Sequence, residues 1–169
     1  ERLNNVETSA IRELFKLLGK PGIISFAGGF PDSALFDVAG IRAATERALT
    51  EEPGAALQYG ATEGYEPLRE QLTDLMVGKG VSNLTPEDFL VTTGSQQALD
   101  LLGKTMLSPG DKVIVEGPTF LATIQCFRLY GAEVISAPID EHGVDTEALE
   151  KLIAEHQPKL VYLIPTFGN

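Results

Sequence analysis

Chemistry first suggests itself in the segment 89–100, FLVTTGSQQALD. Its apolar start reads as a strand. A small polar turn follows and runs directly into a helical pattern. Thr92, Thr93, Gly94, Ser95 and Gln96 then stand where the first N–H groups of a helix have no intrahelical acceptor. Donors and the positive end of the helix dipole point the same way there, which suits an anion, most often a phosphate. The residues alone leave a second reading open, with Ser95 as an ordinary N-cap.

The elements around this turn follow from spacing. Ile11, Leu14, Phe15 and Leu18 predict a helix over 7–18, stopped by Gly19 and Pro21. An extended piece at 23–26 leads into the glycine-rich loop AGGFPD, 27–32. A helix is expected over about 38–51, with Ile41, Ala44, Ala48 and Leu49 on its apolar side, ended by Pro53 and Gly54. A further helix spans about 65–77, with Leu68, Leu72, Leu75 and Met76 inward. Thr85 and Pro86 open a short capped turn.

From residue 89 strands and helices alternate. Strands are expected at 89–93, 112–116, 133–137 and 160–164, and helices at 95–107, 119–130 and after the cap Asp145. Leu99, Leu102 and Met106 form the inward stripe of the first of these helices, and Leu149, Leu152 and Ile153 that of the last. Unbroken Val/Ile/Leu runs mark strands covered on both faces. The fold class is therefore α/β, a mostly parallel sheet with helices on both faces. The last strand lacks a closing helix, so the 169 residues read as the first part of a longer protein.

Bulk properties narrow the partners. A formal net charge of −11 argues against nucleic acid and anionic membranes. No run is long and apolar enough to span a membrane. One cysteine, Cys126, allows no internal disulfide and fits a reducing, cytoplasmic setting. His142 reads as part of a solvent turn and His156 as a partner of a helix C-terminus. Neither is spaced as a metal ligand, and neither a Walker A pattern nor a G-x-G-x-x-G turn occurs after a strand.

Six segments in order resemble the fold-type I, pyridoxal-phosphate-dependent aminotransferases of class I/II. They are ISFAGGFPD (24–32), LQYG (57–60) with Gly64 and Leu68-Arg69, TGSQQAL (93–99), SPGD (108–111) with Val113, GPTF (117–120), and IPTFGN (164–169). Several are similar to the aminoadipate/kynurenine/valine–pyruvate branch. The resemblance implies transamination from an amino acid to a 2-oxo acid, pyruvate or 2-oxoglutarate, in a cytoplasmic homodimer. It implies an N-terminal arm and substrate loop over 1–36 and the first part of the cofactor-binding large domain over 37–169.

The same resemblance implies residue roles. Gly94, Ser95 and Gln96 would hold the phosphate of pyridoxal 5'-phosphate, and Phe120 would stack on its ring. Tyr59 would reach the neighbouring subunit's phosphate, and Asn169 the ring oxygen. Gly29 would allow close approach of the substrate loop, and Arg12 would pair with a second substrate carboxylate. Each has a plainer alternative: a core Phe at a helix start, a loop Tyr, a capping Asn, a helix-surface Arg. The lysine, aspartate and arginine that the family's chemistry needs are expected beyond residue 169, because none of Lys16, Lys20, Lys79, Lys104, Lys112, Lys151 or Lys159 stands at a matching position. A lyase or decarboxylase on the same scaffold, an aminotransferase-like sensing domain of a transcription regulator, and a nucleotide-binding module are the competing readings.

Overall fold

The structure, a computed structural model, describes residues 22, 24, 31–166 and 168. The expected helix at 7–18 and most of the loop at 23–32 lie outside the described residues. The chain divides into two compact units, Phe30–Thr92 and a second that contains Thr93–Asn169.

The first unit is helical. Helix α1, Val38–Glu51, begins where the Asp37 carboxylate accepts the Gly40 N–H at 2.8 Å. Glu52 then leaves helical geometry, and Pro53 opens a separate short helix, α2, Pro53–Leu57. From sequence, Pro53 and Gly54 read as a stop followed by irregular chain. A proline at the first helical position is a start as readily as a stop, because its missing N–H has no intrahelical partner there. Helix α3, Glu66–Gly78, is tied to the 3-10 turn Pro86–Asp88, since Arg69 Nη1 donates to the Pro86 carbonyl at 3.2 Å. That turn carries the expected cap: the Thr85 N–H and hydroxyl both donate to Asp88 Oδ2, at 2.8 and 3.0 Å.

The second unit holds the sheet. Helix α4, Ser95–Met106, precedes β1, Lys112–Gly117. Helix α5, Leu121–Leu129, leads to β2, Glu133–Asp140, which pairs antiparallel with the short β3, Gly143–Val144. Helix α6, Thr146–His156, leads to β4, Leu160–Tyr162. Strand order is β3-β2-β1-β4, with β1 parallel to both β2 and β4. The crossover through α5 moves one way along the sheet and that through α6 moves back. The right-handed rule for such crossovers then sets α5 and α6 on opposite faces.

Val113, Ile114 and Val115 are fully buried in β1. Val113 and Val115 share a face and join Leu99, Leu107, Cys126, Phe127 and Ala132 in one cluster. Tyr162 closes it, its ring edge-on to Phe127 at 6.3 Å between centroids. Asp145 caps α6 as expected, accepting the Glu147 and Ala148 N–H groups at 3.0 Å.

Two expectations fail along this stretch of chain. Residues 89–93 form no ladder among the described residues; the Val91 N–H instead donates to the Glu63 carbonyl at 2.8 Å. An apolar run becomes a strand only beside a partner strand, and sequence does not name the partner. In α4, Leu99 is buried but Leu102 and Met106 are exposed. Gly103 takes the inward place, because the Tyr130 ring lies where a β-carbon would project.

Candidate functional site

Gly94 precedes α4 with φ 79° and ψ 171°, a region open in practice only to glycine. A β-carbon there would meet nothing, so the backbone angle and not crowding requires the glycine. Having no side chain, Gly94 cannot cap the helix it precedes. The side-chain oxygen of Gln97 accepts the Thr93 N–H and braces the turn from behind. Ser95 and Gln96 are exposed at the start of a twelve-residue helix. A helix start with no side-chain cap and with an exposed hydroxyl and amide is a donor set suited to an anion.

Phe120 is the N-cap residue of α5, reached from β1 through a cis Gly117–Pro118 peptide. It is 46% exposed. The link between Phe120 and Ser95 is the packing of their helices. The chain just beyond α4 and α5 lies together, the Gly110 N–H donating to the Gly131 carbonyl at 2.9 Å, and the Tyr130 hydroxyl reaches back to Asp100 Oδ1, midway along α4, at 2.6 Å. Tyr130 also lies against Gly103. From Gly103 back to Ser95, and from Tyr130 back to Leu121, is about 12–14 Å of helix. The two helices run side by side in the same sense, so both begin at the carboxyl end of the sheet. That end is where open α/β sheets bind ligands.

Other expected residues are placed as follows. Tyr59 lies in the helical unit, 99% exposed, with its N–H donating to Gln58 Oε1 at 2.8 Å. Arg12, Gly29 and Asn169 lie outside the described residues. Arg69 and Gly64 of the second motif do local work: Arg69 holds the 3-10 turn, and Gly64 leaves room for the Val91 side chain. Asp111 of the SPGD turn accepts the Ser108 N–H at 2.8 Å and pairs with Lys159 at 3.4 Å. The Ser108 bond, then the Lys159 charge, hold its carboxyl below the usual aspartate value.

His142 is exposed beside Glu141, and His156 lies in the last turn of α6. Cys126 is buried, and burial followed by the Asp100 charge pushes its thiol up, the reverse of activation. Among the described residues no cluster of His, Cys, Asp or Glu could hold a metal, and no helix is long and apolar enough to cross a membrane. An open depression between α1 and α2, lined by Ala44, Arg47, Glu51, Ala56 and Tyr65, belongs to the helical unit.

One polar residue escaped the sequence reading. Glu116 is 7% exposed at the end of β1, and its Oε2 accepts the Ile164 N–H at 2.8 Å. The available signal was a carboxylate inside an otherwise apolar strand run, KVIVEG.

The family model of aminotransferase class I and II matches residues 22–164. The chain belongs to that family. It is 44% identical over 164 residues to the 2-aminoadipate transaminase of Thermus thermophilus, covering 97% of this chain and 40% of that protein. The crystal structure of LysN, the α-aminoadipate aminotransferase of Thermus thermophilus, is similar with a TM-score of 0.83 and 42% identity, over 99% of this chain and 40% of that one. That structure is complexed with N-(5'-phosphopyridoxyl)-L-leucine. The kynurenine aminotransferase of Pyrococcus horikoshii is similar with a TM-score of 0.87 and 40% identity, over 98% of this chain and 42% of that one. This member of the class I and II family therefore has the fold-type I α/β architecture and spans about two fifths of the length of the relatives it matches.

Proposed function

We propose that the protein carrying this sequence is a pyridoxal-phosphate-dependent aminotransferase that moves an amino group from an amino acid to pyruvate or 2-oxoglutarate. The observation that carries this reading is the shared edge: the Gly94–Ser95–Gln96 turn and Phe120 begin two parallel helices at the carboxyl end of one sheet. A phosphate and an aromatic ring joined in one molecule fit that pair of sites. Ser95 and Gln96 bind the phosphate, with the start of α4 behind them, and Phe120 offers a face to the ring. By the resemblance to the family, Asn169 would hydrogen-bond the ring oxygen, and Gly29 and Arg12 would serve the substrate. Tyr59, exposed in this chain, serves the phosphate of a partner subunit in a homodimer. Pyridoxal phosphate supplies an electron sink for the electrons left when the substrate loses its α-proton.

The names of the relatives support an aminoadipate, kynurenine or similarly bulky amino acid as donor. A cytoplasmic location, with residues 1–36 as arm and substrate loop and the large domain from 37 onward, completes the reading. The test separates cap from ligand. Aspartate is favourable in the first turn of a helix but repels a phosphate. In the full-length protein, Ser95→Asp is expected to keep its melting temperature while binding pyridoxal phosphate at least about 10-fold more weakly, followed by the visible band of the bound cofactor. Unchanged affinity in Ser95→Asp would overturn the assignment.

A further inference from the structure

We propose that Glu116 is a positioning residue: its buried carboxylate holds the chain leaving β4 at Ile164 and so sets the approach of the segment that ends at Asn169. This rests on the proposed cofactor site.

The parallel ladder of β1 and β4 covers Val113↔Leu160, Ile114↔Val161 and Val115↔Tyr162, and β4 ends there. Two residues later the chain is held differently. The Ile164 N–H donates at 2.8 Å to Glu116 Oε2, a side chain. Pro165 follows and has no N–H, so the donor at Ile164 is the last the backbone offers before Thr166. Alternation along β1 places Glu116 on the face of Ile114, away from the cluster of Val113 and Val115 beneath α4 and α5. The tether therefore acts from the opposite side of the sheet to the phosphate turn. The proposed site then has supports on two faces of the sheet: α4 and α5 on one, and on the other Glu116, which holds the strand exit at Ile164, five residues before Asn169 in sequence. A carboxylate this deep is costly unless hydrogen-bonded, and a charge-assisted bond to a backbone N–H is a strong and directional hold.

The test uses the full-length protein and two variants. Glu116→Gln keeps an acceptor of the same reach. Glu116→Met keeps volume but removes acceptor and charge and leaves the Ile164 N–H without this partner, so fold is followed beside affinity. The readings are the pyridoxal phosphate dissociation constant, the pH midpoint of the bound cofactor's visible band, and the melting temperature. Glu116→Gln is expected within about 3-fold of the parent in affinity, with the midpoint unmoved. Glu116→Met is expected at least about 10-fold weaker, about 1.4 kcal/mol, with the midpoint displaced, because the strand exit is no longer held in place. A Glu116→Met protein with parental affinity and midpoint, whatever its melting temperature, overturns the proposal, as does a Glu116→Gln protein as weak as Glu116→Met. A parent protein with no visible band on adding pyridoxal phosphate instead overturns the cofactor site on which the proposal stands.

Discussion

The two units carry equally clear hydrophobic patterns and bury them very differently. Strand β1 sets Val113, Ile114 and Val115 fully out of water. Helix α1 repeats apolar residues at helical spacing, yet Ile41 is 70% and Val38 61% exposed, and α1, α2 and α3 contain no buried residue. The difference lies in what each element must bring with it. Parallel strands recruit their own neighbours through the backbone ladder, and the intervening helices fold onto both faces. A helix presents one apolar stripe and leaves the covering surface to something else. Periodicity reports which face is apolar; it does not report what covers it.

The largest expected effect contrasts two isoleucines. Ile114→Ala in β1 is expected to cost about 2–5 kcal/mol in chemical denaturation, the cost of a cavity in a closed core. Ile41→Ala on α1 is expected to cost no more than about 0.5 kcal/mol where that face stays in water. A larger loss that grows with protein concentration would mark the face as covered by a second subunit. Next come two glycines. Alanine normally improves a helix over glycine by about 1 kcal/mol. Gly54→Ala in α2, where a β-carbon meets nothing, is expected to raise the melting temperature. Gly103→Ala in α4 is expected to reverse that sign and cost about 1–3 kcal/mol, because the new methyl group enters the space of the Tyr130 ring.

The smallest effect is one of acidity. Asp111 has its carboxyl held below its ordinary value of 3.8 by the Ser108 N–H and then Lys159. A carboxyl lowered by folding favours the folded state above its ordinary value and loses that contribution as pH falls through the folded value. Asp111→Asn is therefore expected to flatten the acid limb of the stability curve, leaving the slope at neutral pH unchanged. A parent curve already flat below pH 3.8 would contradict this.

Local signals were the legible ones. Asp145 announced its helix because a cap is a contact over two or three residues. The alternation from 112 onward disclosed the parallel sheet, and Gly94 with Ser95 disclosed the turn. What stayed hidden depends on distant chain. The stretch 89–93 has the composition of a strand, but its Val91 N–H goes to Glu63. Leu102 and Met106 share a stripe with Leu99, but Tyr130, thirty residues from its Asp100 partner, claims the inward side at Gly103. Glu116 could not be linked to Ile164 before the register of β1 on β4 was known, since 48 residues separate them.

Tyr130 sets the spacing of α4 and α5 at Gly103 and, through its hydroxyl, at Asp100. From Gly103 to the tip of α4 at Ser95 is about 12 Å, so a tilt of about 5° at Gly103 moves that tip by about 1 Å. Misplacement on that scale is enough to spoil a reacting geometry. The tolerance for error at that tip is thus written toward the opposite end of the helix, in the fit of one phenol ring over one bare α-carbon.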